Sequence, residues 1–345
     1  MQALMKTQKG VGFLELREMP EPTPGPGEVL IEVKASGICG TDVHILHDKF
    51  PYWPPVILGH EFAGVIAAAG KNVTGWKPGD RVVGEPHTLA CGECWLCRTG
   101  NVQICPMKRS PGWGIHGSLT KFLKMPERLL HRIPDHMSYD LAALVEPTAN
   151  VVTDVIEGGE VRTGDIVAVI GPGPIGITAA QAAKAAGADT VILIGTDVDE
   201  ELRLPTARQL PVIDYVVNVQ REDVPKLVLS LTQNRGADVV VEASGAPRGI
   251  AQGLQLVRKL GRVTAIGLTA KPEINFPYAS GMFKSVTYVF NLSTSYTSWD
   301  TAIRLIASGK VQVAPFVTHR GGLDRWQEFF TAMDEKKGLK GMFVF

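Results

Sequence analysis

The sequence has 345 residues, more than one hydrophobic core usually supports, so it predicts two domains. Its 35 lysines and arginines balance 35 aspartates and glutamates, and a formal net charge of zero argues against a nucleic-acid partner held by phosphate attraction. Every stretch of about eighteen residues contains charges, glycine or proline, and the N-terminus lacks the apolar run of a signal peptide. We therefore expect no membrane span and a cytoplasmic protein.

The first half of the chain is rich in glycine and proline and contains short runs of alternating polarity, such as 29–34 and 62–68. This pattern predicts a β-rich, barrel-like unit. From about residue 141 strands alternate with helices, which predicts a parallel sheet covered on both faces. The predicted elements of this part are helix 141–157, strand 166–170, helix 176–186, strands 191–194 and 216–219, helix 226–232, strand 238–242, helix 250–260, strand 262–266, helix 299–308 and short apolar segments at 316–318 and 342–345.

Four of the five cysteines form a local cluster, at positions Cys91, Cys94, Cys97 and Cys105. The short gaps let successive sulfurs turn back toward one ion, and four thiolates satisfy tetrahedral Zn²⁺ in a closed, structural site. An odd total of five cysteines, four of them crowded into one segment, argues against a secreted disulfide framework. Buried thiols without a metal, or an iron–sulfur cluster, remain the alternatives.

The fifth cysteine, Cys39, lies in a Gly-Ile-Cys-Gly-Thr-Asp-Val-His segment, and His60 and Glu61 follow in Leu-Gly-His-Glu-Phe-Ala-Gly. A thiolate, an imidazole and a carboxylate are the ligand types of a catalytic zinc that keeps one position open. Each piece alone has an ordinary structural explanation, and the combination indicates a second metal site.

A strand at 166–170 leads into Gly171-Pro-Gly173-Pro174-Ile175-Gly176 and an alanine-rich helix. In this strand–turn–helix context the first glycine permits the tight turn, the second lets a pyrophosphate approach the backbone and the third lets helix and strand pack closely. The phosphates would lie at a helix N-terminus, where free N–H groups favour anions. A glycine turn without a ligand is the alternative.

Taken together, these motifs resemble the zinc-dependent medium-chain dehydrogenases, and within them the sorbitol and threonine dehydrogenase branch. The resemblance implies an α/β protein with a GroES-like catalytic domain (1–148 and 292–345) and a Rossmann nucleotide-binding domain (149–291). It implies a catalytic zinc on Cys39 and His60, with Glu61 as a ligand that can bind or withdraw and Glu146 as a further carboxylate ligand. An ordinary surface acid is the alternative for Glu146.

The same resemblance implies that the zinc acts as a Lewis acid on a substrate hydroxyl and that Thr41 and His44 relay the proton out of the pocket. Thr41 as a helix N-cap and His44 as a surface histidine are the structural alternatives. Family habit also implies a homo-oligomer, either a dimer or a homotetramer.

The end of the second strand of the nucleotide domain departs from the pattern of NAD-binding folds, which place an acid there. Gly195 occupies that position, Thr196 could donate a hydrogen bond to a 2′-phosphate, and Arg203, or less readily Arg208, could supply charge, although Asp197 is close by. We therefore predict use of NADP, or of both NADP and NAD. Prolines at 205 and 211 predict that the following helix is short or begins at Pro205.

Segment 266–268 (Ile266, Gly267 and Leu268) matches family segments beside the nicotinamide, and Trp113 and the aromatic residues at 50–53 match those that face the zinc. The substrate is expected to be a small polyol or polyol phosphate, because 195–196 and 298–300 look like the D-arabitol-phosphate dehydrogenases. Threonine and vicinal diols remain alternatives, as does a nucleotide-binding protein without turnover. Thr153 stands where polyol relatives often have histidine, and we assign no functional consequence to this difference.

Overall fold

The computed structural model describes residues 1–269, 271 and 273–345. The strands of this part are, in chain order, β1 Gln2–Lys6, β2 Leu14–Glu18, β3 Glu28–Gly37, β4 Val56–Ile57, β5 Glu61–Ala69, β6 Arg81–Gly84, β7 Phe122–Pro126, β8 Leu130–Arg132, β9 Ile166–Ile170, β10 Thr190–Gly195, β11 Tyr215–Asn218, β12 Ala237–Glu242, β13 Val257–Ala265, β14 Thr287–Phe290, β15 Val317–Gly321 and β16 Lys340–Val344.

The helices are α1 Gly40–Leu46, α2 Trp95–Arg98, α3 Tyr139–Ala143, α4 Val145–Val151, α5 Pro174–Ala186, α6 Arg203–Arg208, α7 Val224–Leu231, α8 Pro247–Leu256, α9 Tyr278–Lys284, α10 Tyr296–Ala307 and α11 Trp326–Asp334. A π-helical segment, Val152–Glu157, follows α4. Within the described residues, none of the helices combines the length and apolar character that crossing a bilayer requires.

These residues cluster into two compact units. The first comprises Met1–Pro147, Thr294–Ala307 and Phe316–Phe345, and the second comprises Thr148–Ser293 and Ser308–Pro315. The second unit includes 308–315, whereas the sequence-based division assigned the whole of 292–345 to the first domain.

The first unit is built on β-sheet, as the turn-rich sequence predicted. A seven-stranded sheet has the order β15-β16-β3-β5-β6-β8, with β7 also paired to β3, and a three-stranded sheet has the order β2-β1-β4. Alternate residues of β3 are buried. Its inward-facing Val29, Ile31 and Val33 pack with Phe62 and Ile66 of β5 in one core cluster, so the period-two pattern of the sequence corresponds to one buried face.

The second unit contains a six-stranded sheet in the order β11-β10-β9-β12-β13-β14, and all of its strands are parallel. Counted along the chain, this is the order third, second, first, fourth, fifth, sixth, which is that of the doubly wound dinucleotide-binding fold. Every residue of β9 is buried, as expected for a strand covered on both faces. The predicted α/β fold class is confirmed.

Two helix predictions are wrong in their extent. The helix predicted for 141–157 is divided into α3, α4 and the π-helical segment, because Pro147 has no N–H to continue a ladder from α3 into α4. The helix predicted for 250–260 ends at Leu256, since the chain from Val257 onward joins β13 and pairs with β12. Strand pairing there overrides the helix propensity of the local sequence.

Candidate functional site

The pairing of β3 with β5 brings Cys39 and His60 together. Gly37 at the end of β3 lies opposite Glu61 at the start of β5, so the residues just outside this antiparallel pair, Cys39 and His60, emerge at the same edge of the sheet. A side chain at position 37 would displace the Glu61 carboxylate, because a Cβ on Gly37 would lie within van der Waals contact of its oxygen.

The donor atoms of Cys39, His60 and Glu61 all lie within 4.8 Å of one another. His60 is 4% exposed, and its Nδ1 has no hydrogen-bond partner among the residues that the structure describes. A buried imidazole nitrogen without a partner is costly in a folded protein, and a metal ion would satisfy it. The sulfur, nitrogen and oxygen donors therefore fit Zn²⁺ in a site that keeps a position open.

Glu61 has a second partner that the sequence did not reveal. The Nζ of Lys340 lies 2.8 Å from each oxygen of the Glu61 carboxylate and also donates to the carbonyl oxygen of Ile38 at 3.1 Å. Burial lowers the pKa of Lys340, but the charges of Glu61 and Cys39 outweigh burial and raise it. Glu61 is thus held as part of a buried ion pair, within reach of the metal ligands.

Asp42 ties together the two loops that carry Cys39 and His60. One of its carboxylate oxygens accepts from the backbone N–H of Cys39 at 2.9 Å, and the other accepts from that of Gly59 at 3.2 Å. Its side chain is fully buried, and burial raises its pKa, although the charge of His60 opposes this. An acid at the third position of α1 is a common helix-start signal, which could have pointed to it.

Glu146 lies in the first turn of α4 and is 7% exposed, so it is not an ordinary surface acid. Burial lowers the pKa of His60, but Cys39, Asp42 and Glu146 outweigh burial and raise it to about 10. Glu146 is therefore near the other candidate ligands, although it is not in the group whose donor atoms lie within 4.8 Å of one another.

Thr41 and His44 both lie on α1, three residues apart and so on one helix face. The N-cap of α1 is Cys39, so Thr41 does not have the N-cap role that was its structural alternative. His44 is half-buried, and burial, with the charges of Lys49 and His47, lowers its pKa. It is therefore neutral near pH 7 and able to accept a proton.

Aromatic residues border the cluster on one side. The ring of Trp113 meets that of His60 edge-on with centroids 5.0 Å apart, and Phe50 meets Trp113 at 5.7 Å. Tyr52, from the same aromatic stretch, is only 2% exposed and belongs to the core. Trp53 lies beneath the guanidinium of Arg109 at 4.0 Å.

The four clustered cysteines converge on one point, with sulfur–sulfur distances of 3.6 Å (Cys91–Cys105), 3.9 Å (Cys91–Cys97) and 4.0 Å (Cys94–Cys105). A tetrahedron with Zn–S bonds of about 2.3 Å has sulfurs about 3.8 Å apart. The spacing fits a single ion better than a larger iron–sulfur cluster. Backbone N–H groups of Cys94 and Glu93 lower the pKa of Cys91 to about 6, which favours the thiolate that a metal requires.

In the second unit, the glycine turn lies between β9 and α5. Gly173 is the N-cap of α5, and a Cβ on it would meet nothing within 4 Å. A Cβ on Gly176 would lie 1.7 Å from the carbonyl oxygen of Gly171, so only glycine fits. Pro174 and Ile175 begin α5. The open space before the free N–H groups of this 13-residue helix fits a pyrophosphate.

At the end of β10 a side chain at position 195 would require its neighbours to shift, because a Cβ on Gly195 would lie 2.7 Å from the side chain of Leu204 and 2.8 Å from that of Pro172. The hydroxyl of Thr196 donates to Asp199 at 2.9 Å, and Arg203 pairs with the same carboxylate at 3.2 Å.

Other charged residues at this strand end are also paired. Arg221, which the sequence did not single out, pairs with Asp197 at 2.7 Å, and Arg208 pairs with Glu200 at 3.1 Å. α6 spans six residues, in agreement with the short helix predicted from Pro205.

The ends of β12 and β13 are joined through Glu242. Its carbonyl oxygen accepts from the N–H groups of Ile266 and Gly267, both at 2.9 Å, and a Cβ on Gly267 would lie 2.2 Å from the nitrogen of Gly245. Leu268 is 67% exposed. The predicted nicotinamide segment therefore lies at the carboxyl edge of the parallel sheet, where doubly wound folds bind their ligands.

Comparisons with known proteins agree with this arrangement. Residues 25–135 match the family described as the alcohol dehydrogenase GroES-like domain, and residues 174–308 match the zinc-binding dehydrogenase family. The chain is 38% identical to sorbitol dehydrogenase of Halalkalibacterium halodurans, covering 99% of this chain and 98% of that protein. It is also 38% identical to L-threonine 3-dehydrogenase of Pyrococcus horikoshii, covering 100% and 98%.

Among solved structures, a Sinorhizobium meliloti protein described as a zinc-binding dehydrogenase and bound to NADP superposes with a TM-score of 0.91 at 28% identity, covering 99% of this chain and 98% of that one. The matches define an oxidoreductase of the alcohol dehydrogenase type, with a GroES-like and a Rossmann domain. The chain belongs to the zinc-dependent medium-chain dehydrogenases. As the sequence predicted, the cofactors of this family are Zn²⁺ and a nicotinamide dinucleotide.

Proposed function

We propose that this protein transfers a hydride between a secondary alcohol of a small polyol or polyol phosphate and NAD or NADP. The observation that carries the proposal is the cluster of Cys39 with the buried His60 and Glu61, in which the Nδ1 of His60 has no hydrogen-bond partner in the described part of the chain. When bound, Zn²⁺ supplies the Lewis acidity that lowers the pKa of the substrate hydroxyl, and the nicotinamide accepts the hydride.

The protein groups have separate tasks in this proposal. Cys39 and His60 hold the metal, and Glu146 supplies the carboxylate at rest because Lys340 already engages both oxygens of Glu61. Cys91, Cys94, Cys97 and Cys105 hold the structural metal. The lowered pKa of His44 leaves its ring neutral, so Thr41 and His44 can pass the hydroxyl proton outward. Trp113, packed on His60, shields the cluster on one side.

For the cofactor, we propose that a 2′-phosphate is tolerated. Gly195 carries no carboxylate that would repel it, and Arg203 and Arg221 lie at this strand end. Because both arginines are already paired with aspartates, we expect the affinity for NADP to exceed that for NAD only slightly. Use of both cofactors is therefore expected. Measured kcat/KM values within about tenfold of each other would agree, whereas a thousandfold preference for NAD would contradict this.

The substrate proposal is tested by turnover of sugar alcohols, their phosphates, L-threonine and vicinal diols with each nicotinamide. We expect reduction of the cofactor by at least one polyol or polyol phosphate. Exclusive oxidation of threonine or of a vicinal diol would favour the corresponding alternative. If metal-loaded protein binds the nicotinamide but oxidises no alcohol, a nucleotide-binding role without turnover is favoured.

We also propose that the protein forms a homo-oligomer through the edge of its parallel sheet. β14 is the last strand of that sheet, and large apolar side chains near it are strongly exposed: Met282, Phe283, Phe290 and Leu292. An open edge with apolar neighbours is complementary to a second copy of itself related by a two-fold axis. Light scattering on the purified protein should give a multiple of the 37.2 kDa chain mass.

A further inference from the structure

The last strand, β16, binds the segment that carries Cys39 at two points. The backbone N–H of Ile38 donates to the carbonyl oxygen of Gly341 at 2.9 Å. The carbonyl oxygen of Ile38 accepts from the Nζ of Lys340 at 3.1 Å. Both backbone polar groups of the residue before Cys39 are therefore held by the C-terminal strand, which fixes the direction in which the sulfur enters the candidate metal site.

The Lys340 ammonium has an acceptor for each of its three hydrogens. Besides the carbonyl oxygen of Ile38, these are the two oxygens of the Glu61 carboxylate, each 2.8 Å from Nζ. An ammonium offers three donors and no acceptor, so this set is complete. Lys340 is 6% exposed and Glu61 is fully buried. Removing one partner of such a buried pair leaves an uncompensated charge, which is costly in a folded protein.

Glu61 is within reach of the metal as well as of Lys340. One of its oxygens lies no more than 4.8 Å from the donor atoms of Cys39 and His60. The ligand atoms of a tetrahedral zinc site are about 3.3–3.8 Å apart, so a small movement of the carboxylate would make it a ligand. A carboxylate without a counter-charge is attracted strongly to a divalent cation at this range. Lys340 supplies the competing attraction.

We propose that Lys340 is a positioning residue, which holds Glu61 away from the catalytic metal and so keeps one metal position open for the substrate hydroxyl. This inference rests on the proposed function and concerns the regulation of that same site. Without the ammonium, Glu61 binds the metal and competes with any incoming ligand. The lysine thus acts through Glu61 and does not contact the substrate.

The test measures access to the metal directly and needs no turnover. Cobalt(II) accepts the ligand sets of zinc and absorbs visible light, which Zn²⁺ does not. The spectrum of cobalt-loaded Cys39→Ser, which keeps the four-thiol site, is subtracted so that only the dispersed site is observed. Imidazole is then titrated as the incoming ligand at about pH 8, where it is mostly neutral, so that loss of the lysine charge alone changes its affinity little.

Lys340→Met should shift the cobalt spectrum and weaken imidazole binding roughly 10- to 100-fold, because most molecules then have Glu61 on the metal. The double variant Lys340→Met with Glu61→Gln should regain an imidazole affinity within about threefold of wild type, since an amide is a poor ligand for this metal. Lys340→Arg should resemble the wild type. Lys184→Met is the matched control, because Lys184 pairs with Asp214 at the same 2.8 Å in the other unit.

Equal imidazole affinity in the wild type and Lys340→Met would overturn the inference, as would a loss that Glu61→Gln does not reverse, which is the result expected of a purely structural lysine. If Lys340→Met does not fold, Glu61→Gln alone decides. Its cobalt spectrum should match that of the wild type, and a changed spectrum would show that Glu61 is already a ligand.

Failure of the proposed function gives a different result. Cobalt-loaded wild type that binds imidazole, and zinc-loaded wild type that oxidises no alcohol, would refute the function and leave the role of Lys340 to the cobalt comparison. Absence of cobalt from the dispersed site of the wild type would refute both.

Discussion

The two candidate metal sites of this chain are built in opposite ways. The four-thiol segment gathers its ligands within fifteen consecutive residues, Cys91 to Cys105, and short local turns suffice to bring the sulfurs together. The other candidate site draws on three separate segments, which carry Cys39, the pair His60 and Glu61, and Glu146, the carboxylate that we propose as the ligand at rest. It depends on the β3–β5 register, on Asp42 and on a lysine near the C-terminus, Lys340. The ligands of a local site can be predicted from their spacing in the sequence. The ligands of a dispersed site are brought together only by the fold.

The largest expected effect is a difference in catalytic activity between variants of the two metal sites. Cys39→Ser should lower kcat by at least about 10³-fold, because the metal ion that polarises the hydroxyl is lost or misplaced. Cys94→Ser should retain most of its turnover at low temperature, since its site takes no part in the chemistry. Steady-state kinetics of the two variants, with circular dichroism to verify folding, measure the contrast. Equal losses of activity would remove the distinction.

The second expected effect is a difference in thermal stability between the same two variants. Cys94→Ser should lower Tm by about 10 °C, because a structural metal contributes its binding free energy to the folded state. Cys39→Ser should lower Tm by much less, since its surroundings are held by the β3–β5 pairing. Differential scanning fluorimetry at one zinc concentration tests this. A larger Tm loss in Cys39→Ser than in Cys94→Ser would reverse the assignment.

The third effect tests whether Asp42 organises the dispersed site. Asp42→Asn keeps one acceptor oxygen but loses one of the two backbone hydrogen bonds that join the loops of Cys39 and Gly59. We expect about 10- to 100-fold weaker zinc binding at that site, measured by chelator competition, with the four-thiol site unchanged. Asp48→Asn, just beyond the C-terminal end of α1 and outside both sites, is the control. Unchanged affinity in Asp42→Asn would show that strand pairing alone sets the geometry.

The smallest effect shows what burial does to a carboxylate outside both sites. Asp154 is 4% exposed, accepts from Asn291 at 2.9 Å, and burial raises its pKa to about 7. Because its pKa is higher in the folded state than in the unfolded state, its ionisation costs stability progressively between about pH 4 and pH 7. Asp154→Asn should therefore stabilise the protein by roughly 1–3 kcal/mol at pH 8 and very little at pH 4. Thermal unfolding at both pH values measures this, and equal effects at the two would contradict it.

The sequence predicted the fold class because its two halves differ in pattern, and the structure confirms both sheets. The prediction of helix 250–260 failed because tertiary strand pairing determines the structure there. The chain from Val257 onward has a helical sequence pattern but forms β13. The sequence predicted the residue types of the dispersed site but missed Lys340, whose ion pair spans almost the whole chain. A lysine at the start of an otherwise apolar terminal strand was the available signal.

The proposed function requires two different metal sites in one chain, and metal analysis tests this most directly. Elemental analysis of purified, active protein should give about two zinc ions per chain, and Cys39→Ser should retain about one zinc while losing turnover. A single zinc in active wild-type protein that is retained in Cys39→Ser, with turnover unaffected, would contradict the assignment of the dispersed site.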